Sequence, residues 1–406
     1  MKNIWIINQY ASHLETRHLE LSTVFAEKGC RVTVITSTYH HGKREYIYPE
    51  TLRHVERAEN VHYIYLKAKP EYKSNGLKRV LSWFGFCALF LQSMKEIEKI
   101  GGKPDFVIAS SAPPTVWELG LHCAKKYGAK YIAEFRDIWP LSLVEIQGLS
   151  PKHPAVIFFG ILEKRAYRKA DAVVSTMPYA YKHVMELTKV PRAKIHWMPN
   201  GINTKNVDRM LEDAPTLPEG LDRYLSENWC AVYTGSIAKC ESVDFLVEAF
   251  RRLSDTDIHL AIIGEGGERD NIQALVDEYA LGNVQLFEAV SKEQVPVVLQ
   301  KAGCCVVASE ELPIYQYGLS MNKLSEYLYS GRPTVFACGF DNVVKDAGHF
   351  NLPFNDAGKL ADTIKTVHGL SQEQIDVFAA AGREHIICNY DYANIGSKYL
   401  EMMESL

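Results

Sequence analysis

Nine cysteines stand in this sequence without one CxxC pair, and their odd number and irregular spacing give neither a disulfide framework nor a zinc site. A reducing, cytoplasmic setting without a structural metal is therefore expected. Excess positive charge is missing too. Lys and Arg number 45 against 49 Asp and Glu, a formal charge of −4, which argues against nucleic acid as a bulk partner because that binding relies on many basic groups neutralising phosphates. Long apolar runs are absent. The longest, residues 80–91, is interrupted by Ser82 and falls short of the roughly 20 residues a spanning helix needs, so no segment is expected to cross a membrane. The opening MKNIWIINQY lacks the charged start, apolar core and cleavage site of a signal peptide and reads as a first strand. No GxGxxG follows it, only Gln9-Tyr10-Ala11-Ser12, which speaks against a nicotinamide-dependent oxidoreductase.

What is present is a globular composition, 47% hydrophobic and 23% charged over 406 residues, longer than one hydrophobic core usually serves. Both halves alternate short β-rich runs with helical patterns, the signature of an α/β fold with parallel strands and crossover helices. In the first half the strands are expected over 3–8, 31–36, 62–66, 106–110, 130–135, 172–175 and 194–198. A helix over 17–27, stopped at Lys28-Gly29, completes the opening βαβ unit. Pro199-Asn200-Gly201 is a turn signal, and the polar stretch beyond it marks a boundary. A second series follows at 230–234, 259–263, 284–287, 304–308 and 334–337. The expected organisation is an N-terminal domain over 1–199, a second domain over 200–384, and a final helix over 385–406 returning to the first. Parallel sheets of this kind hold ligands at the carboxyl ends of their strands, which makes an interdomain cleft the expected site.

The strongest local signal is residues 321–333, MNKLSEYLYSGRP, a helical run ending at Ser330-Gly331. Lys323 and Glu326 are three apart and so share a helix face, while Leu324 and Leu328 point together into a core. A lysine suits a diphosphate and a glutamate suits ribose hydroxyls; the same pair also suits an ordinary surface ion pair. Gly264-Glu265-Gly266-Gly267 follows a strand, but without the full glycine spacing it reads as a structural turn.

Taken together, the chain resembles family 4 of the retaining glycosyltransferases over nearly its whole length. The resemblance is carried in order by HLELSTVFAEKGCRVTVITS, EKRAYRKADAVVSTM, MPNGIN, YTGSIAKCESVDFLVEAF, HLAIIGEGGERDNI, GNVQLFEAVSKEQVPVVLQKAGCCVV and NKLSEYLYSGRP. The last is similar to the donor-site helix of amino-sugar transferases in bacterial surface-polysaccharide pathways. The resemblance implies the GT-B fold, two Rossmann-like domains whose sheets face a cleft. It implies a sugar, UDP-linked and of N-acetylated amino type, passed to a glycan or a polyprenyl-diphosphate-linked acceptor of capsule or O-antigen assembly. No cofactor and no metal are implied. A UDP-sugar 2-epimerase of the same fold and a noncatalytic nucleotide-sugar-binding partner are the alternatives.

Carried over by residue, the second glutamate of the family's donor motif is Glu326, but the first falls on Gly318, followed by Leu319. Glu310 or Glu311 from the loop upstream could substitute. The loop after the first donor-domain strand has Gly235 and then Ser236 at the family's Arg position, with Glu241 at its Lys position, leaving Lys239 as the loop's cation. Lys239 and Lys323 would then neutralise the leaving diphosphate. Leu324 accompanies Lys323 on the donor helix, and the base would meet backbone near Ala289-Val290. In the first domain, Arg136 and Asp137 of EFRDIWP are expected to bind a phosphate and orient the acceptor hydroxyl, and His13 to reach the substrate from the other wall. Between Asn75 and Lys99, Trp83, Phe84, Phe86, Leu89 and Phe90 with preceding basic residues suit either a buried helix or peripheral contact with the inner membrane, as does the stretch around Phe158-Phe159.

Overall fold

The structure is a computed structural model that describes residues 1–11, 16–41, 43–74 and 76–406. The chain forms two compact units, Met1–Asn200 with Tyr392–Leu406, and Gly201–Asp391.

The first unit contains β1 (Asn3–Ile7), β2 (Arg31–Ser37), β3 (Tyr39–His40), β4 (Glu45–Tyr46), β5 (Leu52–Ala58), β6 (Val61–Leu66), β7 (Phe106–Ser110), β8 (Lys130–Phe135), β9 (Ala172–Ser175) and β10 (Ile195–Trp197). Eight of them make one sheet in the order β10-β9-β8-β7-β1-β2-β6-β5, while β3 and β4 form a separate hairpin. Its pairings are parallel except β5 with β6. Strands such as β7 and β9 are buried at every residue, as expected of a parallel sheet covered on both faces. The strands read from sequence form within a residue or so of their expected ends. β5 (LRHVERA) escapes that reading because it is an exposed antiparallel edge, where only Leu52 and Val55 are even partly covered.

Helix Thr16–Glu27 closes as the sequence suggests. Gly29 takes φ 82°, and Cys30 N–H donates to Phe25 O at 3.0 Å, the left-handed closure that glycine permits. Helix Tyr392–Glu404 packs on it, with Tyr399 set edge-on to Phe25 at 5.7 Å. Gly396 makes the approach possible, since a Cβ there would lie 2.5 Å from Val24 Cγ1. Helix Leu77–Gln92 buries Trp83, Phe86 and Phe90. Those three aromatics therefore face the core, and it is Leu77, Leu81 and Phe84 that face water.

The second unit holds β11 (Trp229–Thr234), β12 (Ile258–Ile263), β13 (Val284–Phe287), β14 (Cys304–Ala308), β15 (Thr334–Ala337) and β16 (Phe350–Leu352). They form one parallel sheet in the order β13-β12-β11-β14-β15-β16. Counted within the unit this is 3-2-1-4-5-6, the doubly wound order that reverses beside its first strand and holds ligands outside the carboxyl ends. Only the short edge strand β16, partly exposed throughout, was not legible in the sequence.

Candidate functional site

At the carboxyl ends of β11 and β12, two loops stack backbone on backbone. Gly235 N–H donates to Ile263 O at 3.0 Å, Ile237 N–H to Glu265 O at 2.9 Å, and Glu268 N–H to Ile237 O at 3.0 Å. Glycine is required by the approach: a Cβ on Gly264 would lie 1.8 Å from the Gly235 carbonyl oxygen, and one on Gly266 2.1 Å from that of Ile237. Gly264–Gly267 is thus a structural turn, and Arg269 fixes it by donating to Gly264 O and Phe287 O, both at 2.8 Å.

These loops floor a cleft of about 630 Å³ whose wall is the start of helix Asn322–Tyr329. Among the lining residues are Gly235, Ser236, Glu241, Glu265, Ala289, Val290, Lys323 and Glu326. No side chain caps this helix start, and Met321, Asn322 and Lys323 line the cleft, so the partly positive end of the helix borders that space, an arrangement suited to an anion.

Lys323 reaches over Gly235, lies 4.4 Å from the Tyr233 ring centroid, and donates to Glu241 Oε2 at 2.5 Å and Tyr233 Oη at 2.9 Å. Those partners engage two of its three N–H donors. Burial lowers the Lys323 pKa, with Glu241 pulling the other way. Burial raises that of Glu326, opposed by Lys292 and Lys323. Among the described lining residues Lys323 is the one cation, facing three carboxylates, Glu241, Glu265 and Glu326. The partner of Lys323 is therefore Glu241, not the Glu326 suggested by helix spacing.

The other expected donor residues are placed differently. Leu324, 1% exposed, sits in the core, Lys239 is exposed on the loop, and neither they nor Gly318 and Leu319 line the cleft. Gly318 ends a short turn at φ 105°, a conformation that favours glycine. Glu311 accepts from Phe354 N–H at 3.0 Å and rests against Gly339, so its carboxylate is committed away from the cleft; Glu310 does not line it either.

In the first unit Asp137 and Arg136 follow β8. Asp137 keeps contact with solvent, yet the surrounding protein withholds enough water to raise its pKa, with Arg136 and Arg79 pulling it back. Arg79 was not singled out from the sequence. It donates through Nε to Tyr10 Oη at 3.2 Å, and its signal is the Lys78-Arg79 pair in the first turn of a largely apolar helix. His13 lies outside the described residues.

The feature that sequence reasoning missed most completely is Glu134, three residues before Asp137 and fully buried. Arg17 pairs with it at 2.8 Å, His18 Nε2 stands 3.3 Å away, and Ser110 and Tyr399 hydroxyls donate at 2.7 and 3.3 Å. Burial alone would push its carboxyl up, but Arg17 and His18 outweigh that and hold it well below the usual range. Arg17 also donates to Met198 O at 3.0 Å and to Pro199 O. One buried ion pair thus ties together the first helix, the strand that presents Asp137, the last helix, and the end of the unit's main chain at Met198–Pro199. Among the described residues, no group of three or more His, Cys, Asp or Glu could hold a metal ion.

Comparison with known proteins adds the following. The sequence profile described as Glycosyltransferase Family 4 matches residues 14–206, and that of Glycosyl transferases group 1 matches 230–369. A protein of Escherichia coli (strain K12) assigned to colanic acid biosynthesis as glycosyl transferase WcaI is 28% identical over 79 residues, 20% of this chain and 19% of that one. Among solved structures, sucrose-phosphate synthase from Thermosynechococcus elongatus superposes with a TM-score of 0.75 at 18% identity, covering 100% of this chain and 99% of that one. Anabaena Alr3699/HepE in complex with UDP gives 0.69 at 13% identity, covering 100% of each.

Proposed function

We propose a sugar-transfer function from one premise: the chain belongs to glycosyltransferase family 4, with the two-domain GT-B fold. The donor is a nucleotide-sugar, UDP-linked and carrying an N-acetylated amino sugar. The acceptor is a glycan or a polyprenyl-diphosphate-linked glycan of surface-polysaccharide assembly, and transfer retains the anomeric configuration. Support for UDP comes from the Anabaena neighbour, solved with UDP and also with UDP and glucose. Support for the pathway comes from the colanic acid relative.

The observation that carries the reading is the Lys323 ammonium, held by Glu241 and Tyr233 over Gly235 at the uncapped start of helix Asn322–Tyr329. A diphosphate placed there meets one ammonium, the helix start and the Gly235–Ser236 backbone, all fixed before it arrives. Such preorganised positive charge stabilises a leaving diphosphate more as negative charge develops on it, which is what lowers the barrier. The reading thus assigns that charge to Lys323 and backbone N–H groups, with no metal. Glu326 would accept from ribose hydroxyls. In the first unit, Asp137 would orient the acceptor hydroxyl and Arg136 would bind a phosphate.

A screen of UDP-, GDP- and dTDP-sugars by thermal shift, followed by transfer assays, tests this. A ligand bound only by the folded state raises the melting temperature by mass action. The expected result is a shift with a UDP-sugar, smaller in Lys323→Ala, and an α-linked product from an α-linked donor. No shift with any of them would overturn the reading. Conversion of the donor without an acceptor would point to an epimerase instead.

A further inference from the structure

We propose that the first unit docks onto an anionic bilayer surface through a face made by helices Leu77–Gln92 and Pro154–Lys169. The inference stands on surface composition and is independent of the donor reading. Thirteen large apolar side chains are exposed among the described residues, and six of them gather here: Leu77, Leu81, Phe84, Ile157, Phe158 and Ile161. On the first helix they recur at spacings of four and three, which is one continuous stripe. The stripes meet where the Phe84 and Phe158 rings approach to 6.2 Å. Beneath them Trp83, Trp139 and Phe159 stack edge to face at 5.6 to 5.8 Å, which holds the two helices as one rigid surface.

Charge decides the occupant. Residues 72–92 and 146–162 contain no carboxylate in a chain whose formal charge is −4, while Lys73, Lys78 and Lys152 are exposed there. A cleft of about 400 Å³ along the flank of helix Leu77–Gln92 adds Lys67 and Lys69, and the exposed Glu71 between them and Lys73 leaves the balance positive. An isologous dimer through this face would bring two surfaces of the same positive sign together, whereas an anionic lipid surface complements the lysines. Among the described residues no helix is long and apolar enough to cross a membrane, and the contact proposed is peripheral. Trp139 closes the loop that carries Asp137, so docking would bring that loop close to the lipid surface.

Co-sedimentation of the full chain with vesicles tests the proposal, using phosphatidylcholine alone and phosphatidylcholine mixed with phosphatidylglycerol at low and high salt. The chain should pellet with the anionic vesicles. The variant Leu81→Glu/Ile161→Glu should lower the partition about tenfold or more, Lys78→Glu/Lys152→Glu should weaken the salt-sensitive part severalfold, and Val377→Glu/Ile387→Glu, exposed on the second unit, should change nothing. Unchanged melting of each variant, measured alongside, separates lost docking from lost folding. The proposal is overturned if the chain stays in the supernatant with both vesicle types, if both first-unit variants bind as the parent does, or if light scattering shows a dimer that Leu81→Glu/Ile161→Glu dissolves. Because nucleotide-sugar turnover is read separately in vesicle-free buffer, failure of docking and failure of the transferase reading give different results.

Discussion

Replacing Arg17 by Met should destabilise the first unit far more than a typical single substitution. Arg17 is 2% exposed and Glu134 fully buried, so the change strands a carboxylate in the interior, a loss of about 3–5 kcal/mol. The same change orphans the Met198 and Pro199 carbonyls that the guanidinium serves, which keeps the expected loss at the upper end of that range. For a unit of about 200 residues each kcal/mol moves the melting temperature by about 2–4 °C, so a fall of roughly 10–15 °C is expected. Differential scanning calorimetry resolves it, because the transition of the first unit should move while that of the second stays. Arg17→Met with Glu134→Leu should lose less than the two single changes added, because neither partner is then left buried and charged. The pH dependence has a definite sign. Glu134 has a folded pKa well below that of the unfolded chain, so its contribution is complete above the unfolded value of about 4.3 and is lost as pH falls towards the folded one. Melting of the first unit should drop steeply on acidification below about pH 4, and less steeply in Glu134→Gln. A melting temperature for Arg17→Met within about 2 °C of the parent would refute the argument.

Other consequences concern the two loops and the catalytic side. Glu241→Gln frees Lys323 from its carboxylate partner and should tighten UDP binding about tenfold, whereas Lys323→Ala should weaken it by at least as much; calorimetric titration giving equal affinities would count against the cleft. Gly264→Ala forces a Cβ to within 1.8 Å of the Gly235 carbonyl, so the loops must part, with a loss of about 1–3 kcal/mol and weaker donor binding; normal melting and affinity would show that the stacking is dispensable. Asp137→Asn should lower turnover about a hundredfold or more. The raised Asp137 pKa places the acid limb of the parent's pH–rate profile above that of an ordinary aspartate, and this limb should vanish in the variant.

How much of this was legible in the sequence follows from how local each signal is. Buried parallel strands are short apolar runs, so those of both sheets could be read directly, as could the stop at Gly29 and the shared helix face of Lys323 and Glu326. β5 could not, because an edge strand exposed on its outer side has no apolar pattern to betray it. Leu324, adjacent to Lys323, belongs to the core, as its pairing with Leu328 at helix spacing implies and as the family resemblance obscured. Lys323 meets a carboxylate 82 residues away, and Glu134 meets an arginine 117 residues away. Such pairs are products of topology, and a single sequence does not encode them in any local spacing. The nearest thing to a signal was a glutamate in the otherwise apolar run Tyr131 to Phe135, a charge that a buried strand can hold only with a partner.

Hydrogen exchange with and without UDP tests the central claim most directly, because it reports where the nucleotide sits as well as whether it binds. Slowed exchange is expected at the amides of Gly235 and Ser236, of Glu265 and Val290, and at Asn322 and Lys323, with the effect lost in Lys323→Ala. Protection elsewhere in the chain with none at these amides would contradict the account.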